Sequence, residues 1–198
     1  MNATYDIQFG NIERSTTTNT TWEFAQFEES MHKWADLSDN GFGLSVINDC
    51  KYGCDVKDGH IRPTLFRCAT HPNTIQDREH HSFSFSIYPH AKRANDSDVV
   101  KEGYNVNFPL YAIPAKAQEG TLAPEYSLVS CDKENVVIET VKVAEDSDNI
   151  IVRAYETWNS KTPVALTFCG EIESATECNL MEEEDEAAAF DGNTLTAT

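Results

Sequence analysis

The sequence predicts an all-β protein, an antiparallel sandwich of two packed sheets built from roughly ten short strands. Three observations predict it. Apolar and polar residues alternate with a period of two along several segments. Clusters of Gly, Asn, Asp and Pro punctuate those segments at hairpin spacing. Nowhere do apolar residues recur at i, i+3, i+4 and i+7 over three or more turns, so no helical core is encoded.

Taken in order, Trp22 to Phe27 and Lys33 to Leu37 read as strands. Asp39-Asn40-Gly41 is a turn signal, and Phe42 to Ile47 is the strand leaving it. Lys57-Asp58-Gly59 closes a hairpin into Ile61 to Cys68, and Thr70 to Gln76 is a loop broken by Pro72. Ser82 to Tyr88 alternates cleanly, with Phe83, Phe85 and Ile87 expected on a dry face and the serines on a wet one. Asp98 to Tyr104 is expected as one short helix, and the stretch around Pro109, Pro114 and Pro124 as extended chain or loop. Asn135 to Ala144, Asn149 to Tyr155 and Val164 to Phe168 are joined by two polar turns and are expected to form an antiparallel meander. Met181 to Ala189, acidic and rich in alanine, is expected as a loop or surface turn.

Charge narrows the functions. Lys plus Arg number 15 against 33 Asp plus Glu, a formal net charge of −18 over 198 residues. A phosphate backbone recruits clustered Lys and Arg, so nucleic acid is excluded as a partner. Anionic membrane surfaces are disfavoured by the same sign. No run approaches the 18 apolar residues of a membrane span, and Met1 to Asp6 has neither the basic nor the apolar region of a signal peptide. Six cysteines, at 50, 54, 68, 131, 169 and 178, are therefore expected as reduced thiols and the protein as cytoplasmic.

Most chemistry fails residue by residue. Cys50 and Cys54 form one knuckle, and a structural zinc site needs a second knuckle or a His pair. His80 and His81 are neighbours on an extended stretch and point to opposite faces. There is no Gly-x-Ser-x-Gly elbow and no glycine-rich phosphate loop, and nothing marks one carboxylate pair among the many. The exception is Ile47-Asn48-Asp49-Cys50-Lys51-Tyr52-Gly53, where a hydrophobic strand enters a polar corner. Asn and Asp there can bind their own backbone, which composition favours, or offer donors and acceptors to a sugar. Trp22, Trp34, Trp158, Tyr52 and Tyr88 can stack on sugars, although large aromatics in a sandwich more often fill the core.

An ordered series of segments adds to this. Phe9 to Arg14, Asn19 to Glu23, His32 to Ser38, Gly41 to Gly43 and Asn48 to Gly53 are followed by Asp77, His80 and Phe83 to His90. Asn107 to Leu110, Glu139 to Asp146 and Arg153 to Glu156 complete it. The series resembles the C-terminal β region of the α-mannosidases of glycoside hydrolase family 38, in the cytosolic and bacterial branch with its Asn-Asp-Cys-Lys-Tyr-Gly and Tyr-Pro-His landmarks. Departures are Ser15, Thr17 and Glu23 in the first long motif, Glu79 where the Asp77 loop usually carries Gly, and Ala154 where Leu is commoner.

The resemblance implies part of a galactose-mutarotase-like sandwich over residues 1–125 and a C-terminal β meander over residues 126–198, cut at both ends. It implies a retaining exo-α-mannosidase whose nucleophilic Asp and divalent metal, usually zinc, lie in an N-terminal barrel followed by a helical domain. The family's first metal pair is His-x-Asp, and none of the six histidines here is followed by Asp two residues on. The chain is thus expected to hold no cofactor, to be inactive alone, and to take as partners its own barrel and helical domain, the mannoside, and another copy at exposed strand edges. Loops of this region close over the family's sugar pocket; the matching positions are Asn48, Asp49, Lys51 and Tyr52 at the corner, and Arg67, Asp77 and Arg78 in the following loop. Two other functions are a stand-alone carbohydrate-binding module and a sandwich without ligand contact.

Overall fold

A computed structural model describes residues 2–121 and 123–198, which divide into two compact units, 1–112 and 113–198. The sequence expectation put the boundary at 125/126; no helix or strand lies among the described residues of 109–128.

The first unit comprises β1 (Asn2–Ile7), β2 (Gly10–Arg14), α1 (Thr21–Ala25), β3 (Glu29–Ser30), β4 (Trp34–Ser38), β5 (Phe42–Asn48), β6 (Gly53–Lys57), β7 (His60–Thr64), β8 (Phe85–Ala91) and α2 (Val99–Asn107), with a 3-10 turn at Ala94–Asp96 before α2. One antiparallel sheet runs β2-β1-β4-β5-β8, and a second runs β3-β6-β7. Register decides the faces. Ala3 lies opposite Leu37 and Tyr5 opposite Ala35, while Thr4 faces Asp36, Asp36 faces Ser45 and Ser45 faces Tyr88. The first set packs on the three-stranded sheet in a cluster of Ala3, Tyr5, Met31, Ala35, Cys54 and Val56. The opposite face carries Trp34 and Ile47, covered by Ala94 and Val99. The five-stranded sheet is therefore the middle of three layers, with the small sheet on one side and α2 on the other.

Two glycines permit the close approaches. A Cβ on Gly103 of α2 would lie 2.9 Å from Trp34 Cδ1. One on Gly43 would lie 2.7 Å from His90 Nε2 and 2.8 Å from Ser38 Cβ. The His90 ring fills that space in a buried polar cluster. Ser45 Oγ donates to Asp36 Oδ2 at 2.7 Å, and His90 Nε2 lies 2.7 Å from the same oxygen. Ser45 Oγ also sits 3.2 Å from Nε2, while Nδ1 faces the Ala91 carbonyl at 3.3 Å. Ser and Asp meet the same ring nitrogen, whereas a nucleophile relay places them on opposite ones, so this cluster ties β4, β5 and β8 together and is not such a relay.

The second unit comprises β9 (Val129–Cys131), β10 (Val136–Val143), β11 (Ile150–Glu156), β12 (Val164–Phe168), β13 (Thr176–Cys178), β14 (Glu184–Ala187), β15 (Ala189–Asp191) and β16 (Thr194–Ala197). β10 and β11 form a hairpin, β13 pairs β14, and a four-stranded sheet runs β15-β16-β12-β9. The all-β antiparallel class holds throughout the chain, and all six cysteines are free.

Four local expectations give way. Trp22–Phe27 is not a strand: Thr20 Oγ1 accepts from the Glu23 amide at 3.1 Å and Glu23 accepts from the Thr20 amide at 3.1 Å, a capping box that starts α1. β8 begins at Phe85, and the expected dry face is the open one: Ile87 is 72% exposed while His90 is buried, because α2 covers the other side. β12 does not continue the β10–β11 hairpin but pairs β9 and β16. Residues 184–187, expected in a loop, form β14.

Glu23 does more than cap. Its Oε1 also accepts from Thr17 Oγ1 at 2.7 Å and from Ser15 Oγ at 3.0 Å. These bonds, Thr17 first, draw its carboxyl from 4.5 down to about 2. Lys57 Nζ donates to the Ser15 and Thr17 carbonyls at 3.0 and 3.1 Å, tying the loop to β6.

Two outcomes are expected. Gly43→Ala will force the His90 ring aside and lower stability by about 1–3 kcal/mol, read in a thermal or urea melt. For Glu23 the folded value lies below the unfolded one, so its contribution is complete above about pH 4.5 and is lost as pH falls through about 2. A carbon NMR titration of its carboxyl should show that low midpoint, and Thr17→Ala should raise it.

Candidate functional site

The corner begins with Asn48, fully buried at the end of β5. Its Oδ1 accepts from the Cys50 and Lys51 amides at 3.0 and 2.6 Å, bending the chain back on itself. Its Nδ2 donates to the His32 carbonyl at 2.5 Å, and its own carbonyl accepts from Asn107 Nδ2 at 2.9 Å. Its backbone amide donates to the Lys33 carbonyl at 2.9 Å. Asn48 is thus spent on shaping the corner, and both ends of its amide are used.

Asp49 Oδ2 accepts from the Ser84 amide at 2.9 Å. The neighbouring Cys50 thiol and that amide hold its carboxyl below the usual range, and Asp49 in turn pushes the Cys50 thiol up. Lys51 places its ammonium 5.2 Å from the centre of the Phe83 ring, a cation–π contact. Tyr52 turns outward, 55% exposed, with its ring centre 5.9 Å from that of His32 in an edge-to-face arrangement.

The second set lies on the loop after β7. Asp77, at φ 57°, accepts on Oδ2 from the Arg67 and Cys68 amides at 3.4 and 3.3 Å, closing the loop. The left-handed residue here is Asp77 and not Glu79, so the loop makes no demand for glycine at 79. Arg67 pairs with Glu28, and the Arg78 side chain is exposed.

One short segment joins the two sets. His81 Nε2 lies 3.0 Å from the Asp77 carbonyl and its ring stacks on Phe66 at 5.4 Å. Ser82 offers its carbonyl to the Cys50 thiol at 3.9 Å, Phe83 carries Lys51, and Ser84 anchors Asp49. Residues 81–84 form the common wall between corner and loop. Sequence reasoning missed this wall and missed Glu28. Alternation at 82–88 marks a strand and not a contact, and Glu28 is one of 33 acids with no local signature.

Asn48, Asp49 and Asp77 are therefore the frame, Lys51 and Arg67 are partly engaged, and Tyr52, Phe66 and Arg78 face outward. This surface combines a hydroxyl, a guanidinium and aromatic faces, which suits a polyhydroxylated ligand. Among the described residues no group of three His, Cys, Asp or Glu is placed to hold a metal ion. No helix among the described residues is long and apolar enough to cross a membrane.

These features define a β-sandwich region whose loops gather polar and aromatic groups at one corner. The model for the glycosyl hydrolases family 38 C-terminal domain matches residues 1–74, and that for the family's C-terminal beta sandwich domain matches residues 135–198. The chain belongs to the C-terminal region of glycosyl hydrolase family 38. It is 39% identical over 193 residues to Alpha-mannosidase G of Dictyostelium discoideum and 38% identical over 188 residues to human Alpha-mannosidase 2C1, covering 94% and 93% of this chain. It spans 18% of the length of each of these relatives. The crystal structure of an alpha-mannosidase from Enterococcus faecalis V583 shares the fold, with a TM-score of 0.76 at 20% identity over 98% of this chain and 24% of that one.

The division between frame and surface has a measurable consequence. Asn48→Ala removes three side-chain hydrogen bonds from a buried corner, and a stability loss of about 3 kcal/mol is expected in a urea melt. Tyr52→Ala, at an exposed position, should stay within about 0.5 kcal/mol of the parent in the same melt.

Proposed function

We propose that this chain is the non-catalytic C-terminal β region of a longer retaining exo-α-mannosidase, which removes terminal α-mannosyl residues from oligosaccharides. In this reading it braces the catalytic part and borders the sugar pocket with the 48–52 corner and the 67–78 loop. The observation that carries the reading is identity of 39% to an alpha-mannosidase along 94% of this chain, which is only 18% of that relative. The nucleophile, the acid and a divalent cation, zinc by preference, belong to residues outside this chain.

The chemistry left to these residues is recognition. Tyr52 and Arg78 offer a hydroxyl and fixed donors to sugar oxygens, and Phe66 offers a ring face. Asn48, Asp49 and Asp77 fix the backbone that carries them, so that little conformational entropy is lost on binding. Six free thiols agree with a reducing compartment, the cytoplasm.

A stand-alone carbohydrate-binding module is the second reading, favoured by the exposed aromatics Trp22, Phe24 and Phe27 around α1. Calorimetric titration of the 198-residue chain with mannose and methyl α-mannoside separates the two. No detectable heat is expected, and micromolar binding would favour the module. In the longer protein, hydrolysis of p-nitrophenyl α-mannoside is expected. Arg78→Ala should there raise KM several-fold while kcat changes less; an unchanged KM for both Arg78→Ala and Tyr52→Ala would remove these loops from the pocket.

A further inference from the structure

The five-stranded sheet is covered unevenly. The small sheet packs on Ala3, Tyr5 and Ala35 of β1 and β4. On the same face, β5 and β8 carry Phe42 opposite Ala91, Leu44 opposite Pro89 and Val46 opposite Ile87. These six side chains are half-buried or exposed, with Ile87 at 72% and Phe42 at 59%. Their neighbours on the other face, Gly43, Ser45 and Ile47, are all buried. The apolar side of this strand pair is thus open, while on the other side Gly43, Ser45, Ile47 and His90 are buried, Tyr88 is half-buried and only Ser86 at the end of the pair is exposed. None of the six carries a charge, in a chain whose net charge is −18. An open patch of this kind marks an interaction surface.

We propose that the apolar face of β5 and β8 is the seat of polypeptide that precedes this chain in the longer protein. The inference rests on the reading of the chain as the C-terminal part of such a protein, and it adds the surface by which that part is held. Both family models are C-terminal ones, and the chain spans 18% of its relatives, so most of the missing length lies on the N-terminal side. The face has no polar group with which to select a sugar. A second copy of this chain would bring another −18 against the first, and like charge opposes that pairing. An apolar surface within the same polypeptide meets both conditions at high effective concentration.

The test places benzoylphenylalanine at position 87 of the longer protein and irradiates it. The expected product is a cross-link within one polypeptide to a peptide upstream of this chain, mapped by mass spectrometry. A cross-link to residues 113–198, a cross-link between two copies, or a side chain that reacts only with solvent would overturn the inference. So would a native polypeptide of about 22 kDa detected with an antibody to this chain. Hydrolysis of p-nitrophenyl α-mannoside by the same sample keeps the two readings apart. An upstream cross-link in an inactive protein sinks the proposed activity alone, and an active protein without that cross-link sinks this inference alone.

Discussion

Backbone pairing across β2-β1-β4-β5-β8 fixes which side chains share a face, and the rest of residues 1–112 is arranged around that alternation. On the side toward α2, β4, β5 and the edge strand β8 present Asp36, Ser45 and His90 beside Trp34 and Ile47. Buried polar atoms under a helix are costly unless matched, and Asp36 Oδ2 serves both Ser45 and His90, while Asp36 Oδ1 and Trp34 Nε1 are buried without a hydrogen-bond partner. The ring of His90 needs the missing side chain of Gly43, and α2 needs that of Gly103 to reach Trp34. Residue size and hydrogen bonding thus act together: small residues set the distance and polar ones set the registry.

The same sheet positions the corner. β5 ends on Asn48, and Asn48 reaches the backbone of His32 ahead of β4 and is reached by Asn107 from α2. The corner is therefore tied to two of the three layers, and its outward groups inherit their rigidity. The loop after β7 is held differently, by Asp77 on the amides of Arg67 and Cys68 and by the Arg67–Glu28 pair. That pair has an exposed guanidinium and contributes little by itself. The loop is the more adaptable half of the surface, and residues 81–84 are what couple it to the stiffer half.

What could be read from sequence was what is local. Lys57-Asp58-Gly59 announces the β6–β7 turn, and Asp58 and Gly59 both adopt positive φ there. Val164 to Phe168 is bounded correctly because a proline precedes it and a polar stretch follows. The helix near residue 100 was visible, although it runs on to Asn107. The T-x-x-E signal at Thr20 and Glu23 was local too, but the aromatics around it imitate strand alternation. Strand order in 135–168 was beyond reach, since β12 finds β9 and β16 through pairings that no turn encodes. In the site, the corner was legible as an unusually polar strand end. The wall at 81–84 was not, because its contacts join residues some 30 positions apart.

Cys50 illustrates how accessibility and reactivity separate. Its sulfur stands at the surface, yet the adjacent carboxylate of Asp49 opposes its ionisation. The thiolate is the nucleophile and the metal-binding form, so an open cysteine is here kept in its less reactive state. An alkylating reagent would meet a sulfur whose thiolate form is disfavoured at this position.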